Sequence, residues 1–384
     1  MRHRLVLLTE IIAPYRIPVF NALAQHPEID LHVIFLAETD PTLRDWLVYR
    51  DEIHFSYQIL PSWRRKIGRL NLLLNWRLLG VMRRASPDVI VCGGYNYFAS
   101  WESLWWARSH RVRFMVWVES TAKDLRRGHA LVESLKAKFL RSCDGLIVAG
   151  KSSFDYMRSF GAGEDRIFTA PDAVDNAFFE QQAELSRRNE AELRQALRLP
   201  RRFFLFVGRL VVEKGVFDLL QAYGTLAPGL RSEIGLVFVG EGTARAELER
   251  RAAGISPGSV QFAGFAQREE LAGYYALAEA FVFPTHSDPW GLVVNEAMAC
   301  GLPIICSSAA GCAADLVEDC WNGRVVPSSD TSQLASAMED LSEHAELRAQ
   351  MSQRSRERIQ KFSPDMCAAG IAEAVLSRGV THHV

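Results

Sequence analysis

The sequence predicts an α/β chain of two domains, each a parallel, doubly wound sheet. Three observations carry the prediction. Short apolar runs of strand length alternate with stretches of helical period along most of the chain, the pattern of βαβ units. The chain has 384 residues, more than one hydrophobic core usually supports. The alternation pauses once near its middle, at the Pro-Asp-Ala-Val-Asp of residues 171–175, and then resumes. The expected division is 1–175, 176–362 and a closing helical stretch at 363–384.

The elements of the first half follow in order. Residues 4–9 are apolar and strand-like, and 15–24 have helical period. Residues 31–36 read as a second strand and 88–92 as a buried one, followed by Gly93, Gly94, Tyr95 and Asn96. Residues 112–118 and 145–148 repeat the pattern, the first ending at Glu119, Ser120 and Thr121. Between these elements, residues 62–84 mix Arg64, Arg65, Lys66, Arg69, Arg77, Arg83 and Arg84 with Trp63, Leu72, Leu73, Trp76, Leu78 and Leu79. That composition predicts a basic amphipathic helix, suited to an anionic membrane surface. A helix packed on the sheet with solvated Arg on its back fits as well, and an anionic acceptor is a third use for the charge.

The second half carries the motifs. Residues 204–207 form an apolar strand that breaks at Gly208 and resumes as helix near Gly215. Arg209 and Lys214 lie in that turn. The carboxyl end of such a strand is where ligands bind in α/β sheets, and two cations there suit a diphosphate. Two solvated surface charges are the plainer alternative. A second strand-turn-helix places Gly240, Glu241 and Gly242 at its turn, allowing close backbone approach or an unusual φ.

The third segment, residues 283–302, sets Asp288 eight positions before Glu296. Asp288-Pro289 reads as a loop end. Gly291 onward reads as a helix with Val293, Ala297 and Met298 toward the core. A helix opening on Gly leaves the amides of Gly291, Leu292 and Val293 free to face an anion. Amides for a phosphate beside two carboxylates for hydroxyl groups suit a sugar joined to a nucleotide diphosphate.

These three segments, in this order, resemble the nucleotide-sugar domain of retaining glycosyltransferases of family 4, which have the GT-B fold: two Rossmann-like domains facing a central cleft. The likeness is strong over 204–327 and weaker before it. It implies that Arg209 and Lys214 hold the donor diphosphate, that Glu296 binds the nucleotide ribose and that the first acid contacts the sugar hydroxyls. The family has Glu at that position where this chain has Asp288, one methylene shorter. Gly208, Gly240, Gly242, Phe265 and His286 would complete the donor side, with the base near residues 262–266. The donor would be a nucleotide-diphosphate sugar used as substrate, UDP rather than GDP, with no cofactor and no metal. The acceptor would be a glycan, a lipid-linked intermediate or a small molecule, met on the first domain by Tyr15, Arg16, Tyr95 and Asn96. In several relatives a His follows the strand that here ends at Glu119. Glu119 could assist acceptor deprotonation, or instead cap a helix or pair with Lys123. The closing helix, by the same resemblance, crosses back onto the first domain.

Composition bounds the rest. A net charge of −1 gives no overall field for nucleic acid, although residues 61–141 hold 16 Lys/Arg against 5 Asp/Glu. Seven Cys without a C-x-x-C pair argue against a disulfide framework or structural zinc and for a reducing compartment. The first apolar run is broken by Glu10, too soon for a secretory core, and no stretch nears the roughly 20 apolar residues of a membrane span. The expected location is the cytoplasm, at most peripheral on the inner membrane face. The expected activity is metal-independent, retaining hexosyl transfer to a hydroxyl in cell-surface glycan or glycolipid synthesis. A nucleotide-sugar 2-epimerase and a non-catalytic nucleotide-sugar-binding subunit are the alternatives. A dehydrogenase lacks its G-x-G-x-x-G after the first strand.

Overall fold

Continuous apolar runs are what parallel strands covered on both faces require, and both sheets are built from them. The computed structural model describes residues 2–40, 47–67, 70–123, 130–255 and 258–377. The chain divides into two compact units, one drawn from 1–122, 126–173 and 364–384, the other from 123–125 and 174–363.

The first unit holds seven parallel strands. β1 (His3–Thr9), β2 (Ile29–Phe35) and β3 (Ser56–Ile59) lie on one side. Two further strands, β4 (Ser62–Ile67) and β5 (Leu70–Asn75), pair only with each other. β6 (Val89–Cys92), β7 (Arg113–Val118), β8 (Gly145–Val148) and β9 (Ile167–Thr169) complete the sheet. Its order is β3-β2-β1-β6-β7-β8-β9, reversing direction between β1 and β6. Helix Pro364–Leu376 belongs to this unit and packs on helix Ile17–Ala24 and on β9. It sits close because Gly370 has no side chain; a Cβ there would lie 2.2 Å from Thr169 O.

Residues 62–84 do not form the expected amphipathic helix. β4 and β5 make an antiparallel hairpin, with Trp63 opposite Leu74 and Arg65 opposite Leu72, and only Leu78–Ala85 is helical. Period two wins over period 3.6 here. Leu73 is buried, and Arg64 turns inward to Glu10 and Asp40, while Trp63, Arg65, Leu72 and Leu74 alternate outward. Lys66 and Arg69 lie outside the residues whose side chains are described.

The second unit holds a six-stranded parallel sheet. β10 (Phe203–Val207), β11 (Gly235–Val239), β12 (Val260–Gly264), β13 (Ala280–Phe283), β14 (Ile304–Ser307) and β15 (Gly323–Val326) run in the order β12-β11-β10-β13-β14-β15. The reversal falls between β10 and β13, which pair through Phe204 with Ala280 and Leu205 with Phe281. All five residues of β10 and all four of β13 are buried. Each such Phe or Val adds about 1.5–3 kcal/mol on leaving water. That anchoring fixes the loops at the two carboxyl ends. No helix among the described residues is long and apolar enough to cross a membrane.

Candidate active site

Where the strand order of an open α/β sheet reverses, the loops on either side part and leave a crevice at the carboxyl ends. In the second unit those loops are the ones after β10 and β13, which contain Arg209 and Lys214 on one side and His286 and Asp288 on the other. The glycines of the first loop and of the turn after β11 act on each other. Gly208 N–H donates to Val239 O at 3.0 Å, and Leu210 N–H donates to Glu241 O at 2.9 Å. A Cβ on Gly240, whose φ is +134°, would lie 2.0 Å from Gly208 O, and one on Gly242 would lie 2.3 Å from Leu210 O. The close approach that Gly240 and Gly242 permit is between two loops of the protein.

Arg209 follows at the surface with its side chain exposed. Lys214 ends a short 3₁₀ turn, Val212–Lys214, and its ammonium is largely covered. It forms an ion pair with Asp288 Oδ2 and lies 3.5 Å from Ser287 O. The other oxygen of Asp288 accepts from Trp290 N–H at 3.2 Å. One carboxylate therefore ties the Lys214 turn to the residue just before Gly291. Gly291 stands at φ +105°, and helix Leu292–Ala299 begins behind it. Only at Val294 does an amide find its acceptor, Gly291 O at 2.9 Å. The earlier amides have no intrahelical partner, as at every helix start. The phase of this helix differs from the expectation. Val294, Asn295, Ala297 and Met298 are buried, while Leu292 and Val293 are half-buried. Val293 is thus not a core residue, because the helix begins one residue after Gly291 and turns Val294 inward.

Trp290 is buried, with its indole N–H donating to Asn295 Oδ1 at 2.9 Å. It stiffens the joint between loop and helix. His286 is not loosely solvated: Nε2 lies 2.7 Å from Asp218 Oδ2, and its amide donates to Glu213 O at 2.9 Å. The β13 loop is thereby stapled to the segment that carries Lys214. Glu296 accepts from the Tyr275 hydroxyl at 2.7 Å. Burial pushes its carboxyl up to about 7, against the opposing pull of that hydrogen bond. Phe265 is exposed just beyond β12, whereas Phe262 stacks on Phe238 with centroids 5.2 Å apart. Asp218 and Tyr275 were missed in the sequence. Asp218 offered one signal, its place in the first turn of the helix after Lys214.

In the first unit, Tyr15 and Arg16 sit in a 3₁₀ turn, Pro14–Arg16, beyond β1. Arg16 is largely covered, packs over the Trp117 ring at 4.0 Å and forms an ion pair with Glu119. The partner of Glu119 is therefore Arg16, neither a helix end nor Lys123. The two side chains come from the ends of β1 and β7, which flank β6 in the sheet, a juxtaposition that sequence spacing cannot reveal. The Tyr95 hydroxyl lies 2.9 Å from Ser120 Oγ, and Asn96 is exposed beside it.

Comparison with known proteins identifies the family. A family model described as "Glycosyl transferases group 1" matches residues 189–358, and one described as "Glycosyltransferase Family 4" matches residues 21–178. Among curated proteins, a D-inositol 3-phosphate glycosyltransferase of Xylanimonas cellulosilytica is 30% identical over 223 residues, 57% of this chain and 53% of that protein. A glycogen synthase of Mycobacterium tuberculosis is 28% identical over 265 residues, 66% of this chain and 60% of that protein. The match thus spans little more than half the length of these relatives. Among solved structures, Anabaena HepE in complex with UDP superposes with a TM-score of 0.74 at 18% identity, covering 98% of this chain and 99% of that one. A sucrose-phosphate synthase of Thermosynechococcus elongatus gives 0.69 at 20% identity, covering 96% and 97%. With the two models taking in most of the sequence and the fold that of GT-B proteins, this chain belongs to glycosyltransferase family 4.

Proposed function

We propose that the chain is a retaining glycosyltransferase that moves a hexosyl group from a nucleotide-diphosphate sugar, UDP rather than GDP, to an acceptor hydroxyl, without a metal. One observation carries the reading: Lys214, Asp288 and the amide of Trp290 form a continuous chain that ends at the mouth of the Glu296 helix. A diphosphate set there meets an ammonium on one side and free helix amides on the other. The leaving nucleoside diphosphate gains negative charge in the transition state, and donors fixed in advance stabilise it without reorganising. Arg209, exposed in the same turn, adds a fork of N–H donors.

The acids divide the remaining work. Glu296 accepts from ribose hydroxyls while Tyr275 holds one of its oxygens. Asp288 is engaged by Lys214 before any ligand arrives, so it meets the sugar as a carboxylate whose position the lysine sets. On the first unit, the ion pair with Arg16 fixes the position of Glu119, and Tyr15, Tyr95 and Asn96 are the further residues offered to an acceptor. Cell-surface glycan or glycolipid synthesis at the inner membrane face is the setting this reading favours, with a glycan or lipid-linked acceptor. Solved relatives described as complexes with UDP support the choice of donor.

The test is a panel of nucleotide sugars read by thermal shift, because a ligand that binds only the folded state raises its melting point. Stabilisation by a UDP-sugar, followed by release of UDP only when acceptor is added, supports transfer. An epimer formed from the donor alone, without acceptor, would instead establish an epimerase.

A further inference from the structure

The hairpin of β4 and β5 has two unlike faces. Its inner face is turned to the rest of the unit: Leu73 is buried, Arg64 pairs with Glu10 and Asp40, and Asn75 donates to Leu36 O at 2.6 Å. Its outer face repeats every second residue. Trp63 is 44% exposed, Leu72 39%, Leu74 37% and Trp76 52%, with Arg65 and Arg77 exposed among them. Helix Phe98–His110, which packs on β5, also exposes Phe98 and Trp105, seven residues apart on one side of that helix. Cross-strand packing of Trp63 on Leu74 adds only about 0.2–1 kcal/mol, and an exposed apolar row of this kind marks a contact surface.

The charge around this face selects its occupant. Residues 61–85 hold seven Lys/Arg and no Asp or Glu, in a chain whose net charge is −1. A second copy docking on the same face would set like charges against each other. Trp rings and Leu side chains flanked by Arg are the residues that settle at a lipid interface, apolar body inward and cation among headgroups.

We propose that this outer face anchors the protein to an anionic phospholipid bilayer: Trp63, Leu72, Leu74 and Trp76 enter the interface while Arg65 and Arg77 meet the headgroups. The surface is a strand ladder, and the anchor presents one row of alternate residues. The inference deepens the proposed setting of the enzyme, yet it is read without nucleotide or turnover, so its failure and that of the donor site are separable.

The test is flotation of the full chain with vesicles of phosphatidylcholine alone and of phosphatidylcholine with 30 mol% phosphatidylglycerol, an amount on the order of that which gives anionic leaflets their surface potential. Binding should need the anionic lipid. Each basic residue near such a surface strengthens binding about fivefold, so the double variant Arg65→Ala/Arg77→Ala should bind about 25-fold more weakly. Trp63→Ser/Trp76→Ser should lose about tenfold or more, a loss that persists at high salt, where the charge contribution is screened. All four positions are exposed, so unchanged melting temperatures verify folding. Equal binding to both vesicle types, or double variants that bind like the parent, would overturn the proposal. So would a dimer in solution that the Trp variant disperses, which would assign the face to a second copy.

Discussion

Replacing Glu296 with Gln should stabilise the protein at pH 8 and leave it nearly unchanged at pH 5. The carboxyl is pushed from its ordinary 4.5 to about 7 by burial, with the Tyr275 hydrogen bond opposing the shift. The folded state therefore keeps a proton that the unfolded chain has already released. Across roughly pH 4.5–7 the native state binds more protons than the unfolded state, so stability falls as pH rises and levels off above about 7. The gap between 4.5 and about 7 corresponds to a loss of about 3 kcal/mol at pH 8, at 1.36 kcal/mol per pH unit. Gln has the same shape, keeps an oxygen for the Tyr275 hydroxyl and cannot ionise. Glu296→Gln should then melt about 6–12 °C higher than the parent at pH 8, using about 2–4 °C per kcal/mol for a unit of this size. At pH 5 the two should melt nearly together. Scanning calorimetry of both proteins from pH 5 to 8 measures this. A pH-independent difference, or a lower melting point for the variant at pH 8, would refute the argument that burial controls this carboxyl.

Three further outcomes follow from the same structure. Lys214→Ala and Arg209→Ala should each lower the transfer rate by about 10²-fold or more, as loss of a charge-stabilising donor does, read from initial rates at saturating acceptor. Gly240→Ala should unfold at markedly lower urea, by about 2 kcal/mol or more, because its Cβ would lie 2.0 Å from Gly208 O at a φ of +134°. For the Arg16–Glu119 pair, in which Arg16 is covered and Glu119 is 40% exposed, Glu119→Ala should cost about 1–3 kcal/mol in urea melts by removing an acceptor from a covered guanidinium, whereas Glu119→Gln keeps an acceptor and costs less. If Glu119→Gln also leaves turnover with a matched acceptor intact, Glu119 has no part in the chemistry.

The loops after β10, β11 and β13 were legible because their features are local. β10 and the turn after β11 announce themselves as apolar runs cut by Gly208 and Gly240, and Asp288 and Glu296 fall on one loop and one helix. What the sequence could not display are contacts between distant positions. Tyr275 reaches Glu296 from another helix, His286 reaches Asp218 from another strand end, and Arg16 reaches Glu119 across 103 residues. The glycines Gly208 and Gly240 were visible, but not that the missing side chain of Gly240 makes room for the carbonyl of Gly208. Residues 62–84 misled for a different reason. Paired Leu residues and Arg at mixed spacing satisfy period 3.6 and period two alike, and the choice was made by Leu73 and Arg64, whose partners lie elsewhere in the first unit. Val293 misled by one position, since the helix phase depends on where Gly291 lets it begin.

The account rests on a diphosphate held between Lys214 and the opening of the Glu296 helix, and calorimetric titration of UDP and of uridine into the parent and Lys214→Ala tests it most directly. The account predicts that UDP binds the parent far more tightly than uridine does, and that Lys214→Ala removes most of that advantage while leaving uridine binding unchanged. Equal affinities of parent and variant for UDP would contradict it.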